Sequence, residues 1–445
     1  MYLLYSFLLT FGFILLLPRF LFDAVRKGKY AAGFRQRLGQ LPEFRKNGSP
    51  VLWIHCVSVG ETNAAFPLVK EILKKYPNYR LVVSTTTNTG QDLAQKLYGE
   101  MADLIFYFPF DWQFTVRRVL AKIKPNIVLL METELWFNFM RAANKSGAGV
   151  FIVNGRLSEK SFNRYLYIKK FMQRVFHHIS LALMQDEADA HRIKQLGIRT
   201  NKVKITGNIK FDQSLDGINI ELTDEIKRRF DISENAPLII AASTHSPEED
   251  LILQAFKKVS ANSKTLAPRL LLVPRHPERF EKVAELIKNS GFDFARRSEK
   301  ASEDDKNAQV ILLDSIGELR TVLPLAEIVF VGGSLIPRGG QNILEPAIAR
   351  KPIVTGFYTV NFAAIVKEFL KQDALIQLPE LDENETADKL AEVLAELLQD
   401  TEKRAKLAEN AFAVMRKNRG ATRNTMEYLN PFLSVHSSLI DISVE

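Results

Sequence analysis

Glu61 is the first candidate for acid–base chemistry in this sequence. The apolar run at residues 51–57, VLWIHCV, is typical of a buried parallel strand. The run breaks at Ser58 and Gly60, and a helical period begins at Glu61. Ligands of open α/β sheets bind beyond the carboxyl ends of the strands, and helix N-termini favour the ionised carboxylate that a general base needs. The alternative is that Glu61 only caps its helix.

Two further acids follow another strong strand pattern. The run IVLLM at residues 127–131 leads directly into Glu132 and Glu134. Alternate residues of an extended segment point the same way, so the two carboxylates are expected to share a face. Like charges so close would raise the pKa of one of them. Either one of these acids holds acceptor hydroxyls or supports Glu61, or the two acids form a solvated acidic loop.

A glycine-rich turn is the clearest anion-binding pattern. After an apolar run at residues 328–331 comes GGSLIPRGGQN, residues 332–342, and then a helix pattern containing Glu345. Glycine lets backbone N–H groups approach an anion, and a helix N-terminus adds positive potential. Glu345 is placed to accept two ribose hydroxyls. Such turns also occur for packing alone. The candidate ligands of this turn are Gly333, Ser334, Gly340, Asn342 and Glu345.

Cations follow two other strand patterns. Arg275 and His276 come after the run at residues 270–273, where a guanidinium could bind phosphate in a bidentate manner. The alternative is a proline-punctuated surface turn. Asn208 and Lys210 follow a strand pattern near the junction of the two halves, and Lys210 either faces an anionic leaving group or is an ordinary exposed lysine. The supporting positions at the first sheet are Ser58, Gly60, Thr89, Glu134 and Asn208.

The elements that would position these residues alternate between strand and helix patterns, which predicts parallel sheets covered on both faces. The apolar runs of the first half lie at 51–57, 81–84, 104–108, 127–131, 150–153, 181–184 and 203–205. Those of the second half lie at 238–242, 270–273, 310–313, 328–331, 353–354 and 375–378. We therefore expect two doubly wound, Rossmann-like domains, at 49–210 and 211–400. Helices at 401–445 are expected to pack back toward the first domain, and a substrate is expected to bind in the cleft between the domains.

Composition limits the class of protein. The chain has 445 residues, a formal net charge of +9 and one cysteine, Cys56, which lies in an apolar run and reads as a core residue. One thiol cannot form an internal disulfide, which fits a reducing compartment. The sequence contains no zinc-ligand cluster, no GxSxG nucleophile turn and no RNA-binding aromatic signature. A nucleic-acid partner is therefore not expected.

The amino terminus predicts attachment to a membrane. Residues 1–17 carry no charge, and no cleavage signature follows them, so residues 1–22 are expected to form an uncleaved spanning anchor. The alternative is an interfacial helix, because Pro18 and Arg19 interrupt the run. A basic segment at 23–48 would hold anionic lipid head groups and keep the remainder of the chain cytoplasmic. Its cations are Arg26, Lys27, Lys29, Arg35 and Arg37.

Seven blocks of the chain resemble, in order, those of the 3-deoxy-D-manno-octulosonic acid (Kdo) transferases. They are WIHCVSVGET, METELW, VNGRLSEKSF, TGNIKFD, STHSPEE, PRHPERF and GGSLIPRGGQNILEPA. The resemblance implies a GT-B fold with the acceptor domain first and the nucleotide domain second. It also implies transfer of Kdo from CMP-Kdo to the lipid A precursor, on the cytoplasmic face of a bacterial inner membrane.

The resemblance also implies roles for individual residues. Glu61 matches the catalytic base, Glu132 matches a second active-site carboxylate, and Arg275 matches an arginine that contacts CMP. Members of the family typically lack a catalytic metal, so no metal or other cofactor is expected beside the donor substrate. The positions expected to bind CMP or its phosphate are Arg275, His276, Gly333, Ser334, Gly340, Asn342, Glu345 and Lys210.

These observations give one main hypothesis and two alternatives. The main hypothesis is an inverting Kdo transferase in which Glu61 takes the proton of an acceptor hydroxyl. The second reading is a GT-B sugar-nucleotide epimerase. The third is a membrane-tethered nucleotide-binding protein without catalysis.

Overall fold

The computed structural model describes residues 2–27, 33–44, 47–212, 219–262 and 267–437. The chain forms two compact units, each with its own parallel sheet. Unit 1 contains Met1–Asp212 together with Arg419–Glu445, and unit 2 contains Gln213–Asn418. Unit 1 is therefore assembled from two separate parts of the chain.

Seven strands form the sheet of unit 1. They are β1 (Val51–Cys56), β2 (Arg80–Thr85), β3 (Ala102–Tyr107), β4 (Ile127–Met131), β5 (Gly149–Gly155), β6 (Leu181–Met184) and β7 (Val203–Ile205). Their order in the sheet is β3-β2-β1-β4-β5-β6-β7, and every neighbouring pair is parallel. Each strand matches one of the predicted apolar runs, because strands covered on both faces need apolar side chains on both sides.

The helices of unit 1 cover the two faces of this sheet. They are α1 (Tyr2–Lys27), α2 (Phe34–Arg37), α3 (Val59–Lys75), α4 (Asn88–Tyr98), α5 (Gln113–Ile123), α6 (Phe137–Lys145), α7 (Glu159–Leu166), α8 (Lys169–Phe176) and α9 (Glu187–Gln195). Successive strand residues point to opposite faces. Trp53 accordingly packs in one core with α5, α6 and α8, whereas its neighbour Leu52 packs in another with α3 and α4. Cys56 is buried in the second core, as predicted.

Unit 2 repeats this plan with a second parallel sheet of seven strands. They are β8 (Leu238–Thr244), β9 (Arg269–Pro274), β10 (Phe294–Arg296), β11 (Val310–Leu312), β12 (Ala326–Val331), β13 (Ile353–Thr355) and β14 (Ile376–Gln377), in the order β10-β11-β9-β8-β12-β13-β14. The α/β class predicted for both halves is confirmed. β10 is not predicted from the sequence, because this three-residue edge strand is too short to show a clear apolar pattern.

The helices of unit 2 connect these strands and extend beyond them. They are α10 (Ile220–Arg229), α11 (Glu248–Asn262), α12 (Phe280–Asn289), α13 (Leu319–Val322), α14 (Leu344–Ile348), α15 (Ala363–Lys371), α16 (Glu383–Gln399) and α17 (Thr401–Asn418). α16 buries Leu390, Leu394 and Leu397 in the core of this unit. α17 belongs to the same unit and packs against α14 and α16, so it does not return to the first domain as predicted.

The last helix, α18 (Ala421–Ser437), does return to unit 1. It places Met426, Leu429 and Leu433 in the same core as α3. The Tyr79 hydroxyl donates to the Leu433 carbonyl over 2.9 Å. The expectation that the C-terminal helices pack on the first domain therefore applies to α18 alone.

α1 lies along unit 1 with one side inward. Tyr2 and Tyr5 pack on the core that contains Trp53. The opposite side exposes a run of large apolar side chains, namely Leu3, Leu4, Phe7, Leu8, Phe11, Ile14, Leu15 and Leu16.

None of the helices within the described ranges has both the length and the apolar character needed to cross a bilayer. The predicted spanning anchor at residues 1–22 is therefore not supported, because the uncharged run stops at Leu17 and is followed by Pro18 and Arg19.

The basic segment differs from the prediction at Arg37. This side chain is buried, donates to the Thr86 carbonyl over 2.6 Å and lies 4.7 Å from the centre of the Tyr107 ring. Burial lowers the pKa of Arg37. Arg37 therefore joins the N-terminal segment to the sheet instead of facing lipid. Lys29 lies outside the described residues, as do the side chains of Arg26 and Lys27.

Candidate active site

Glu61 sits in the first turn of α3, just past the end of β1. Ser58 is the N-cap of this helix, and its hydroxyl donates to Glu61 Oε1 over 3.0 Å. The Val57 N–H donates to Glu61 Oε2 over 2.8 Å. Glu61 therefore makes the capping contacts of the alternative reading. It is also only 7% exposed, which is unusual for a carboxylate that does no more than cap.

The protonation of Glu61 differs from the prediction. Burial and the nearby charges of Glu132 and Glu134 raise its pKa to about 8, against the opposing hydrogen bonds from Val57 and Ser58. The helix N-terminus was expected to favour the ionised form, but loss of water and like charge dominate. A carboxyl group with a pKa near neutral can both take and return a proton, which is the property of a general base.

Glu132 and Glu134 follow β4 and belong to the same electrostatic cluster as Glu61. Glu132 adopts a left-handed backbone conformation with φ of 52°, and its N–H donates to the Val153 carbonyl over 2.9 Å. Burial and the charge of Glu132 raise the pKa of Glu134 to about 7. Both carboxylates are partly buried, so these residues do not form the solvated acidic loop of the alternative prediction.

Lys210 is the partner of Glu132. Its Nζ lies 2.8 Å from Glu132 Oε1, and both side chains are about four-fifths buried. The Asn208 side-chain oxygen accepts the Lys210 N–H over 3.0 Å and so shapes the turn that carries this amine. Lys210 therefore forms an ion pair with a candidate active-site acid of unit 1, whereas the sequence predicts a role at the leaving phosphate.

The remaining predicted positions of unit 1 follow the carboxyl ends of β1 and β2. Gly60 is exposed in the first turn of α3, and a side chain added there would meet little. Thr89 is exposed in the first turn of α4. The N-cap of α4 is Thr87, whose hydroxyl accepts the Gly90 N–H over 3.1 Å.

The glycine-rich turn of unit 2 follows β12, but its first amides are already occupied. The Gly333, Ser334 and Leu335 N–H groups donate to the carboxylate of Glu248 over 2.6, 2.9 and 3.0 Å. The Ser334 hydroxyl is fully buried, donates to the Val331 carbonyl and accepts the Gly356 N–H. Gly333 and Ser334 therefore do not offer the phosphate donors that were predicted.

Glu248 is the residue that the sequence analysis missed. It accepts a fourth hydrogen bond, from the His245 N–H over 2.9 Å, and has no exposed surface. Burial raises its pKa, and the four N–H donors oppose that shift. Its neighbour Glu249 binds Arg279 through both oxygens. The signal was present, because acids in the first turn of a helix that follows a strand form the same pattern as Glu61.

The second part of the turn holds the other predicted ligands. Gly340 has φ of 76° and donates its N–H to the Gly333 carbonyl over 2.7 Å, which folds the turn back on itself. Asn342 accepts the Leu344 N–H over 3.1 Å. Glu345 Oε1 accepts from Nε and Nη2 of Arg320, each over 3.0 Å, at the start of α14. The Arg320 pair holds the Glu345 carboxylate in place.

Exposed cationic and imidazole groups lie beside this turn. Arg275 and His276 follow β9, and both are exposed. In the part of the chain that the structure describes, the Arg275 guanidinium makes no hydrogen bond or ion pair. The His276 and His245 rings are 5.2 Å apart, and His245 lies next to Gly333. These exposed side chains, unlike the amides that bind Glu248, are candidates for binding an anion.

Comparison with known proteins places this geometry in context. The family model described as 3-Deoxy-D-manno-octulosonic-acid transferase (kdotransferase) matches residues 32–213. A 3-deoxy-D-manno-octulosonic acid transferase of Haemophilus influenzae is 36% identical over 409 residues, which are 90% of this chain and 92% of the relative.

Two solved structures are similar to parts of this chain. The UDP-GlcNAc 2-epimerase of Neisseria meningitidis bound to UDP-GlcNAc is 16% identical, with a TM-score of 0.57 over 86% of this chain and all of that one; this likeness shows the fold alone. The C-terminal CMP-Kdo binding domain of WaaA from Acinetobacter baumannii is 35% identical over 44% of this chain and 97% of that one, with a TM-score of 0.39.

The identity to the Haemophilus influenzae enzyme extends over nearly the whole length of both proteins, and the strand-exit acids lie in the region matched by the family model. The chain is an enzyme of the 3-deoxy-D-manno-octulosonic acid transferase family.

Proposed function

We propose that this enzyme transfers Kdo from CMP-Kdo to a hydroxyl of the lipid A precursor, with inversion at the anomeric carbon and with Glu61 as general base. The observation that carries the proposal is a buried carboxyl group at a strand exit whose pKa is raised to about 8. A base is most effective when its pKa lies near the working pH. Most glutamates, which titrate near 4, lack that property.

The reaction is a single displacement. The acceptor oxygen forms a bond to the anomeric carbon of Kdo, and its proton goes to the Glu61 carboxylate. The bond from that carbon to the phosphate oxygen breaks, and CMP departs with the electron pair. Glu132 and Lys210 keep a charged pair beside Glu61, so the negative charge of Glu132 acts on the base while its own charge is balanced.

The leaving group carries negative charge, and unit 2 supplies the cation. We assign Arg275 to the phosphate of CMP, since its guanidinium is exposed and has no partner among the described residues. Charge stabilisation of this kind is usually the largest contribution to catalysis. Glu345, held by Arg320, is assigned to the ribose hydroxyls. The motif resemblance supports the identity of the base as cytosine.

We also propose that α1 lies on the surface of a membrane. Its inner side is taken up by contacts with unit 1, whereas Leu3, Phe7, Phe11 and Leu15 are each more than half exposed. Contiguous apolar surface of this kind marks a site of contact with a membrane or a partner. The proposed lipid acceptor favours a membrane over a protein partner, because the membrane would then hold both the enzyme and its substrate in one plane.

Glu61→Gln tests the chemistry. The variant keeps the size of the side chain but cannot take a proton, so the transfer rate should fall at least ~100-fold, while CMP binding by calorimetry should stay unchanged. The control is Glu71→Gln, an exposed acid on the same helix, which should retain activity. Mass spectrometry of the product distinguishes transfer to lipid from epimerisation of a nucleotide sugar. Full activity in Glu61→Gln would refute the assignment of the base.

A further inference from the structure

A groove between α5 and α6 lies outside the region described above. It encloses about 720 Å³, within the range typical of small-molecule sites. α5 lines one side with Gln113 and Arg117, and α6 lines the other with Arg141 and Lys145. Both helices pack on the sheet face opposite to α3. The end of the groove is formed by residues that precede β4 and β5, at the amino ends of the strands, whereas Glu61 and Glu132 follow the carboxyl ends.

The lining of the groove is strongly cationic. Arg117, Lys124, Arg141 and Lys145 all line it, and no acidic residue does so. Neither helix contains an aspartate or glutamate. Among the ranges with assigned structure, none of these four cations has a carboxylate partner.

Besides burial, the positive charge of the groove also lowers the pKa of a neighbouring histidine, His178. Burial lowers the pKa of His178, and the charges of His177, Arg141, Lys145 and Lys202 lower it further.

Helix ends account for only part of this charge. Lys124 and Lys145 lie at the C-terminal ends of their helices, where a cation offsets the helix dipole. Arg117 and Arg141 lie in the middle of α5 and α6, where the dipole has little effect. Both arginines line the groove, where a bound anion would lower the repulsion between them. The groove is therefore suited to a ligand with negative charge.

Apolar surface adjoins the groove. Arg141 lies 4.4 Å from the centre of the Tyr2 ring, and Asn138, also in the lining, donates to the Ser6 hydroxyl over 2.9 Å. The first turns of α1 thus run directly beside α6, with Leu3, Phe7 and their neighbours exposed. On the α5 side, Phe114 follows Gln113 and is 51% exposed. An anionic site flanked by apolar side chains matches an amphiphile better than a free ion.

We propose that the α5–α6 groove binds the phosphate head group of an anionic phospholipid, whose chains lie against the exposed side of α1. Phosphate oxygens accept the bidentate hydrogen bonds that the arginine guanidinium offers. The site is separate from the transfer chemistry, although it rests on the proposed attachment of α1 to a membrane. It would make attachment selective for anionic lipid.

The test is binding of the full-length protein to phosphatidylcholine vesicles and to mixed phosphatidylcholine–phosphatidylglycerol vesicles. The wild type should prefer the mixed vesicles. In Arg117→Gln/Arg141→Gln/Lys145→Gln that preference should fall by about tenfold or more, since each cation near an anionic bilayer contributes about fivefold. Binding to neutral vesicles should be unchanged. Transfer to a detergent-dispersed acceptor should be retained.

The matched control removes the same charge from the other face of the sheet. Lys70→Gln/Lys74→Gln/Lys75→Gln changes three exposed lysines of α3 and should keep the preference for mixed vesicles. An equal loss in both variants would show attraction by net charge alone and overturn the proposal. Arg141 also packs on Tyr2, so its substitution could disturb α1. The double variant Lys124→Gln/Lys145→Gln therefore repeats the test with exposed side chains only. If both this variant and the triple variant kept the full preference for mixed vesicles, the groove proposal would be overturned.

Two further outcomes separate this proposal from the attachment of α1. Phe7→Ser/Phe11→Ser/Leu15→Ser should lose binding to both kinds of vesicle, whereas the groove variant loses only selectivity. Equal wild-type binding to both kinds would leave attachment in place and overturn the groove site. If the protein bound inorganic phosphate at matched ionic strength but showed no preference for mixed vesicles, the assignment of the groove to a lipid would be overturned.

Discussion

At the scale of single residues, the Glu61 carboxyl group has neighbours with opposite effects on its proton. Burial and the charges of Glu132 and Glu134 raise its pKa, whereas the hydrogen bonds from Val57 and Ser58 lower it. The sequence places Glu61 correctly at a strand exit and in a helix cap. It does not predict the protonation state, because two of the charges that raise the pKa belong to Glu132 and Glu134, more than seventy positions away in the chain.

The raised pKa predicts the pH dependence of the reaction. Glu61 must lose its proton to act as a base, so kcat/KM should increase with pH and level off above about 8. Since the negative charge of Glu132 contributes to the shift, Glu132→Gln should move this limb to lower pH even if the maximal rate falls. A steady-state pH profile of both proteins measures the limb. A limb that stays in place in Glu132→Gln would contradict the electrostatic account.

Glu248 gives a second prediction at this scale. Glu248→Gln places an NH₂ group against backbone donors, so at least one buried N–H of the turn loses its acceptor. We expect unit 2 to lose about 2–3 kcal/mol of stability and CMP to bind more weakly. Thermal unfolding and calorimetry measure the two effects. Glu285→Gln, an exposed acid on α12, is the control and should behave as wild type. Unchanged CMP affinity in Glu248→Gln would show that the turn does not depend on this carboxylate.

At the scale of elements, Asp111 connects α1 to α6. Its carboxylate, 1% exposed, accepts from the Asn138 and Phe139 N–H groups over 3.0 and 2.8 Å and from the Tyr5 hydroxyl over 2.9 Å. Burial raises its pKa to about 7, against the hydrogen bonds that it accepts. A single buried acid thus caps one helix and holds another beside it.

Asp111→Asn should loosen α1. The substitution replaces one of the two acceptor oxygens with an NH₂ group, so at least one of the three hydrogen bonds is lost. We expect a loss of about 1–3 kcal/mol and faster amide exchange in α1. Tyr5→Phe removes only one of these bonds and should have a smaller effect. The raised pKa means that this acid stabilises the fold most below pH 4 and contributes less as the pH rises through 7, so the difference between wild type and Asp111→Asn should shrink toward alkaline pH. Hydrogen exchange at two pH values measures this; equal exchange in all three proteins would contradict it.

Periodicity predicts the elements themselves well and their surroundings poorly. Apolar runs locate thirteen strands, because a strand covered on both faces leaves an uninterrupted hydrophobic segment. The same reasoning places acids and glycines at strand ends. It cannot reveal that the amides of residues 333–335 are occupied by Glu248, or that Arg37 is buried on Tyr107. Those contacts join segments distant in sequence, and local pattern carries no information about them.

At the scale of the whole molecule, unit 1 depends on a helix from the other end of the chain. Besides its apolar contacts, the start of α18 is fixed by Asp212, which accepts the Gly420 N–H over 2.6 Å. Leu429→Ala removes a fully buried side chain and should cost about 2–5 kcal/mol. The control is Val435→Ala, which changes a side chain that is 59% exposed on the same helix. Chemical denaturation measures both, and equal midpoints would mean that α18 contributes little to unit 1.

The position of α18 also has a consequence for how the protein is made. Asp212 leaves the ribosome more than two hundred residues before Ser437, and translation at roughly 5–20 residues per second makes that interval about 10–50 s. During this interval, the apolar side of α3 that α18 later covers is exposed on the nascent unit 1. A nascent chain with this apolar surface exposed is expected to bind chaperones. A premature stop codon between residue 212 and the start of α18 at Ala421 would leave the surface permanently uncovered.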